Sequence, residues 1–379
     1  MVSLVSVDYT AVFFSNKARI MSKKLLVCIS SHGFGHFALS APVLNSICEQ
    51  QPQLELIIDC GHSSSLIKSR VKVDFTHIHS HDDFGFAMHS AFTVDKATSL
   101  SKYQHLLANW ETCLAKVSAE YAEIEANLVV SNISFIALAA AQRLGLRNIA
   151  CCPLNWADLF NYFFAATKAN HEILQIMQKA YNQADAFYCP EPSMPMPLIQ
   201  NTKPVGPIAL VGANRTGELR QQLALAENTL IILLSMGGIE TELDLQSWPY
   251  FEGVHWIVSA NKEVSRCDMS ELHCLDFDFN TILASVDGIM MKPGYGMVVE
   301  SVCNQKPVIC VERPDWPEAP ALVAWLEKHG RVYHVDQEAF RTADFSAALS
   351  WLNQQPAFIA PTPVGIKQMS EHIQSYLIK

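Results

Sequence analysis

The chain has 379 residues, of which 50% are hydrophobic and 17% are charged, and its formal net charge is −10 at pH 7. This length favours two domains over one, and the acidic balance argues against binding of nucleic acid or anionic lipid. The 11 cysteines, an odd number, indicate scattered thiols in a reducing compartment rather than a disulfide framework. No apolar stretch reaches the roughly 18 residues of a membrane span, so we expect a soluble, cytoplasmic protein without a transmembrane segment.

The first half of the chain alternates predicted strands with predicted helices. Residues 1–21 are expected to form a poorly ordered extension, because Lys17 and Arg19 follow its apolar part, which is the reverse of a signal peptide. Continuous apolar strands separated by helices are typical of a parallel sheet covered on both faces. We therefore assign residues 22–200 to an N-terminal Rossmann-like domain. Its main predicted strands cover residues 24–30, 54–59, 73–78, 128–130 and 147–152.

A proline-rich passage, residues 189–209, is predicted to contain the interdomain linker, since proline disfavours a helix or a central strand. The pattern then restarts, with apolar strands predicted at 229–234, 254–258 and 288–291. We assign residues 201–362 to a second Rossmann-like domain. The predicted fold class is therefore α/β, with two doubly wound domains that face a cleft and bind ligands at the carboxyl ends of their strands.

The segment that begins at Lys292 indicates a nucleotide site. An apolar strand ends in Lys-Pro-Gly-Tyr-Gly, and a helix follows whose first backbone N–H groups have no intrahelical partner and attract anions. Gly294 and Gly296 let the backbone approach a phosphate closely, and Lys292 adds a point charge. Glu300 lies further along the helix, where its carboxylate can accept hydrogen bonds from a ribose. A phosphate cradle followed by a diol-binding carboxylate describes a nucleotide-sugar site.

These residues, together with the segment RPDWPE from Arg313, resemble the donor motif of the GT-B glycosyltransferases. Within that fold, the stretch from about Lys24 to Tyr333 is most similar to the glycosyltransferase-like half of plant-type arabinokinases, through its HGFGH loop, its KPGYG-like loop and its DxxPEEP-like tail. The resemblance implies two Rossmann-like domains, with the acceptor bound by the first and the donor by the second. It also implies that the last segment, 363–379, is a helix that packs back on the first domain.

The implied reaction moves a sugar from a nucleoside-diphosphate sugar, with UDP as the expected nucleotide, to a hydroxyl of a small or lipid-like acceptor. No metal ion or other cofactor is expected. The residues expected on the donor side are Ser235, Gly237, Lys292, Gly294, Tyr295, Gly296, Glu300, Asp315 and Glu318. Lys292 occupies the position at which many members of the family carry histidine.

His36, in the loop after the first strand, is the candidate general base. The resemblance implies that it deprotonates the acceptor hydroxyl, and a near-neutral imidazole suits this role because its pKa lies close to the working pH. The family commonly orients this histidine with an aspartate about a hundred residues later, where this chain has Asn132. An asparagine accepts a hydrogen bond but does not compensate an imidazolium charge. The residues expected on the acceptor side are His32, His81, Asp83 and Trp156.

Other interpretations remain open. Gly33 and Gly35, with Asp59 at the end of the second strand, match a dinucleotide-binding fingerprint and would indicate an NAD or FAD enzyme. A row of alternating histidines suits either metal ligands or acceptor contacts; these are His77, His79 and His81. The nucleotide cradle would also serve a nucleotide-sugar epimerase or hydrolase of the same fold, or a binding module without catalysis.

Overall fold

The computed structural model describes residues 22–79, 83–164, 167–237, 244–259 and 265–378. In the first half, seven parallel strands form one sheet with the order β3-β2-β1-β4-β5-β6-β7. The middle strands are apolar and fully enclosed, as a parallel sheet covered on both faces requires. The strands are β1 Lys24–Ile29, β2 Glu55–Cys60, β3 Thr76–Ile78, β4 Leu128–Asn132, β5 Asn148–Cys151, β6 Ala186–Pro190 and β7 Thr202–Val205.

The structure describes seven helices between β1 and β7. Several begin at a short polar side chain that accepts a hydrogen bond from the first turn, as Ser63 does from Leu66 and Ser134 from Ala137. The helices are α1 Phe34–Gln50, α2 Ser64–Arg70, α3 Lys96–Ala108, α4 Trp110–Ile124, α5 Phe135–Arg143, α6 Trp156–Phe164 and α7 Lys168–Asn182. The strand order reverses between β1 and β4, so the cleft of this half opens there.

The second half repeats the design with a six-stranded parallel sheet of order β10-β9-β8-β11-β12-β13. Its strands are β8 Leu230–Ser235, β9 Val254–Val258, β10 Met269–Glu271, β11 Gly288–Met291, β12 Val308–Val311 and β13 Val332–Val335. Its helices are α8 Thr216–Gln222, α9 Phe279–Ser285, α10 Tyr295–Cys303, α11 Ala319–His329, α12 Gln337–Thr342 and α13 Ser346–Leu352. The strand order reverses between β8 and β11. Two doubly wound parallel sheets confirm the predicted fold class.

The proline-rich passage is more ordered than the sequence predicted. It begins inside β6 and includes β7, which carries Pro204 and pairs with β6 in the first sheet up to Val205. A proline is tolerated there because β7 is the edge strand, on which one row of backbone groups needs no partner. The first sheet therefore extends past residue 200, the predicted domain boundary.

The last helix, α14 Gly365–Ile378, lies on the first half of the chain. Its first residue donates a backbone hydrogen bond to the carbonyl of Pro207 at 2.9 Å, and His372 stacks on Tyr188 with ring centroids 4.4 Å apart. Arg147 donates to the carbonyl of Tyr376 at 3.1 Å. These contacts tie the end of the chain to both the linker and the first sheet. Within the described part of the chain, no helix combines the length and the apolar character needed to cross a membrane.

Candidate functional site

His36 and Asn132 meet at the point where the strand order of the first sheet reverses. The register pairs Ile29, at the end of β1, with Asn132, at the end of β4, so α1 begins beside Asn132. The Asn132 amide nitrogen donates to the carbonyl of His36 and to Ser40 Oγ, each at 2.9 Å, which makes Oδ1 the acceptor. His36 Nδ1–H donates to that Oδ1 at 2.9 Å. The other ring nitrogen, Nε2, therefore carries the free lone pair.

Burial keeps His36 neutral. It lowers the pKa of His36 to about 4, because the loss of water disfavours the imidazolium more than the hydrogen bond to Asn132 favours it. The Cys152 thiol lies 3.7 Å from His36 Nδ1, but burial raises the pKa of this thiol well above its ordinary value. Cys152 therefore stays protonated and is not a nucleophilic thiolate. His36 is thus a neutral proton acceptor in a tautomer fixed by its partner.

An aromatic wall lies next to His36. The His32 ring stacks on Trp316, with centroids 5.8 Å apart and an interplanar angle of 16°. Trp156 makes edge contacts with His32 at 5.2 Å and with His36 at 5.6 Å. Burial lowers the pKa of His32 to about 3, so this ring is also neutral. Since Trp316 comes from the second half and the other rings from the first, the wall spans the cleft.

Asp83 supports the aromatic wall from the side of the first sheet. It accepts a hydrogen bond from Trp156 Nε1 at 3.1 Å, and burial raises its pKa to about 6. The structure thus brings three of the predicted acceptor-side residues together around His36: His32, Asp83 and Trp156. The fourth, His81, lies outside the described residues.

The histidine row does not supply a metal site among the described residues. His77 Nε2–H donates to the carbonyl of Cys60 at 2.9 Å, and its Nδ1 accepts from the Ser64 hydroxyl at 2.7 Å. Both ring nitrogens are therefore used within the fold. In the ranges that the structure describes, no group of three or more His, Cys, Asp or Glu side chains is arranged to hold a metal ion.

Lys292 borders the cleft from the second half. It directly follows β11, which pairs with β8 so that Ser235 lies alongside. Its Nζ donates to the carbonyl of Ala91, in the first half, at 2.7 Å. Gly237 has φ +78°, and a Cβ there would lie 3.4 Å from Lys292 Cε. Burial lowers the pKa of Lys292 to about 6, and the nearby charge of Arg313 adds to this effect.

The amino end of α10 has no side-chain cap. Gly294 is the N-cap residue and provides no side-chain cap to the first turn. Among the described residues, a Cβ at Gly294 would meet no atom within 4 Å, whereas a Cβ at Gly296 would lie 3.6 Å from Ala38 of α1. The first backbone N–H groups of α10 thus lack a side-chain cap, and such a helix end attracts anions.

Tyr295 has a contact that the sequence did not predict. Its hydroxyl accepts from the backbone N–H of Ile208 at 3.0 Å and donates to the carbonyl of Glu191 at 3.2 Å. The ring is buried, so the side chain fastens α10 to the linker between the halves. The hydroxyl is therefore not directed at a donor in the cleft.

Glu300 is enclosed between the two halves, with 3% of its surface exposed. Its Oε1 accepts from Asn280 Nδ2 at 3.1 Å and lies 3.6 Å from Arg70 Nη1. Burial raises the pKa of Glu300, against the opposing effect of Arg70. The carboxylate that was expected to bind a ribose therefore interacts with the side chains of Asn280 and Arg70.

The segment after β12 contributes two buried charged side chains to the cleft. Glu318 is 4% exposed, and its Oε2 accepts from Trp316 Nε1 at 3.1 Å. Arg313 is 7% exposed, and its guanidinium carbon lies 4.2 Å from the centroid of the Trp316 ring. Asp315, which was expected beside the donor, is exposed. Arg313 was missed by the sequence analysis, although its position at the carboxyl end of β12 was a usable signal.

The comparisons with known proteins agree with this architecture. No family model matches the chain. Its sequence is similar to an L-arabinokinase of Arabidopsis thaliana, with 23% identity over 305 residues, and the match covers 79% of this chain and 29% of that protein. The chain thus spans less than a third of the length of the curated relative.

Three solved structures share the fold. The glycosyltransferase of kitacinnamycin has 10% identity and a TM-score of 0.56, over 94% of this chain and 95% of that one. The complex of S. aureus MnaA with UDP has 12% identity and a TM-score of 0.58, over 94% and 97%. A UDP-N-acetylglucosamine 2-epimerase has 12% identity and a TM-score of 0.52, over 94% and 96%. These likenesses establish the GT-B fold, and the arabinokinase match confirms the resemblance predicted from the motifs.

Proposed function

We propose that this chain is a glycosyltransferase that moves a sugar from a UDP-sugar to a hydroxyl of a small or lipid-like acceptor. The observation that carries the proposal is the state of His36, a buried neutral imidazole whose Nδ1–H is held by Asn132. Its Nε2 keeps a lone pair, and Lys292 and the uncapped amino end of α10 border the same cleft. A base and an anion cradle on opposite halves are the two parts that sugar transfer requires.

In the proposed reaction, the acceptor oxygen forms a bond to the anomeric carbon while its proton passes to His36 Nε2. The bond from the anomeric carbon to the diphosphate oxygen breaks, and its electron pair leaves with UDP. The amino end of α10 and Lys292 stabilise the charge of the leaving diphosphate. His36, with a pKa of about 4, is too weak a base to deprotonate the acceptor hydroxyl before attack begins. Transfer of the proton therefore accompanies formation of the new bond.

The aromatic wall supports an acceptor with an apolar or ring-shaped surface. Trp156 lies beside His36 and Trp316 beside His32, and Phe86 packs against both indoles with centroid distances of 5.8 and 6.4 Å. Such rings stack on flat or hydrophobic molecules and bring a hydroxyl close to the base. The likeness to a protein in complex with UDP supports uridine diphosphate as the nucleotide.

An epimerase is the second candidate, because the fold likeness includes a UDP-N-acetylglucosamine 2-epimerase. A dinucleotide enzyme is disfavoured, since Asp59 accepts from the Tyr121 hydroxyl at 2.6 Å and is buried inside the first half. In the dinucleotide-binding fingerprint, the equivalent acid binds a ribose at the edge of the cleft.

The test is product analysis with a panel of UDP-sugars, each incubated with and without alcohol acceptors. If the protein transfers the sugar, UDP should be released only when an acceptor is present. A product should then form whose mass is that of the acceptor plus the sugar residue. Release of UDP without an acceptor would indicate a hydrolase, and a changed sugar still attached to UDP would indicate an epimerase. Tight binding of UDP-sugars without any turnover would indicate a binding module.

A further inference from the structure

Arg313 is a buried cation, and the described residues do not supply hydrogen-bond acceptors for all of its N–H groups. It follows β12, is 7% exposed, and lies over the Trp316 ring at 4.2 Å. Its Nε and Nη2 atoms are fully enclosed, and none of the residues that the structure describes accepts a hydrogen bond from them. Burial of a guanidinium without hydrogen-bond acceptors lowers the stability of the folded state. Such a group is expected where a ligand supplies the missing acceptors.

The two unpartnered nitrogens lie on the same edge of the guanidinium. Their N–H groups point in parallel, and this is an edge that binds two oxygens of one carboxylate or phosphate. The Trp316 ring lies against the guanidinium, which limits how far the group can rotate. Arg313 therefore presents an oriented fork for an oxyanion.

The neighbouring charges also favour an added anion. Lys292 and Arg313 each have a pKa lowered mainly by burial, to about 6 and about 10, and the charge of Arg313 adds to the shift of Lys292. Glu318 is the carboxylate whose charge acts on both of them. Its Oε2 accepts the hydrogen bond from Trp316, while its Oε1 is enclosed and accepts none from the residues that the structure describes. The cluster thus places two basic side chains beside one acid, and an added anion would favour the charged form of Lys292.

We propose that the Nε/Nη2 edge of Arg313 binds an oxyanion of the donor nucleotide sugar and thereby helps to select the donor. This inference rests on the proposed function, because it takes the ligand to be a nucleotide sugar. Two groups of such a ligand have the required chemistry. One is the diphosphate that every donor carries, and the other is the carboxylate of a uronic-acid sugar.

Calorimetric titration of UDP-glucose and UDP-glucuronate into wild type, Arg313→Met and Arg313→Lys distinguishes the two sources. If the fork holds the diphosphate, both variants lose about tenfold or more in affinity for both ligands. If it holds the sugar carboxylate, the loss is confined to UDP-glucuronate, which the wild type then prefers. Arg313→Lys keeps the charge without the fork, so a loss in this variant assigns the effect to geometry.

Arg331→Met is the matched control. Arg331 also lies over an aromatic ring, with its guanidinium carbon 5.3 Å from the centroid of Phe358. However, Arg331 precedes β13 and therefore lies at the end of the sheet opposite the cleft. It should leave both affinities unchanged. Without ligand, the melting temperature of Arg313→Met should not fall, since the change removes a buried cation whose Nε and Nη2 have no acceptor among the described residues. A lower melting temperature with unchanged affinities would make Arg313 structural and overturn the inference, as would unchanged affinities alone. Wild-type protein that binds neither ligand would refute the proposed function itself.

Discussion

Arg70, at the end of α2 in the first half, lies 3.6 Å from Glu300, in α10 of the second half. The guanidinium sits between two rings, 5.2 Å from the centroid of Phe34 and 5.1 Å from that of Phe279. Phe34 belongs to the first half and Phe279 to the second. The two halves are therefore held together at the carboxylate that was expected to bind the ribose.

Replacing Arg70 tests whether this ion pair competes with the donor. Arg70→Met keeps an apolar side chain between the two rings but releases Glu300. Release of Glu300 from this nearly buried pair should let UDP bind at least several-fold more tightly, as measured by calorimetry, because each ~1.4 kcal/mol of competing interaction changes the affinity about tenfold. Arg70→Lys, which keeps the charge, should change the affinity less. Weaker UDP binding in Arg70→Met would instead mean that Arg70 itself contacts the nucleotide.

The ribose role of Glu300 is tested with Glu300→Gln and two ligands, UDP and 2′-deoxy-UDP. Hydrogen bonds to a charged group contribute about 1.5–3 kcal/mol, so the variant should bind UDP roughly 10- to 100-fold more weakly. Wild type should prefer UDP over the deoxy compound, and the variant should lose most of that preference. The empty variant should also melt at a lower temperature, because Arg70 loses its partner. An unchanged preference, whatever the stability, would remove Glu300 from the ribose site.

His36→Gln tests the base. Transfer should fall by roughly 10²–10⁴-fold, the usual contribution of a general base, while UDP affinity stays the same because the cradle lies in the other half. His32→Gln is the control from the same loop, and its rate should fall much less. Loss of activity in His32→Gln together with full activity in His36→Gln would transfer the role to His32.

The pH dependence of transfer gives a second test of His36. Its pKa of about 4 lies below the ordinary value of 6.5, so the neutral, active form predominates down to about pH 5. At saturating UDP-sugar, the rate at pH 5.5 should stay within about twofold of the rate at pH 7.5. A rate that halves near pH 6.5 would show a solvated histidine and would contradict the buried geometry.

Donor affinity should depend on pH through Lys292. Its pKa is about 6, and a bound diphosphate would raise it because the anion favours the ammonium. Above pH 6, Lys292 must therefore take up a proton when the diphosphate binds. The affinity for a UDP-sugar, whose own charge is constant in this range, should fall by up to about tenfold per pH unit from 6.5 to 8.5.

Lys292→Arg is the matched variant for this pH effect, since arginine stays charged throughout the range. Its affinity should be nearly independent of pH between 6.5 and 8.5. Calorimetry in buffers of different ionisation enthalpy should detect uptake of up to one proton by wild type at pH 7.5 and none by the variant. A wild-type affinity that does not change with pH would show that Lys292 is already charged in the empty site.

Much of the architecture could be predicted because its signals are local. Continuous apolar strands alternating with helices specify a parallel sheet, and loops that follow such strands lie at the cleft. The positions of His36, Asn132 and Lys292 at strand ends followed from this rule. Likewise, the pairing of His36 with Asn132 was predicted from family resemblance and chain order, and the register of β1 and β4 places the two side chains in contact.

The state of the charged groups was decided only by tertiary structure. Whether Lys292, Arg313 and Glu318 lose their water depends on how two distant halves pack, and burial then sets the direction of each pKa shift. The contact of Arg70 with Glu300 joins residues far apart in the chain, and no local pattern specifies it. The sequence by itself determined which chemical groups stand at the strand ends. Only the packing of the halves determined which of them are paired, which stay neutral, and which, like Arg313, keep N–H groups without an acceptor among the described residues.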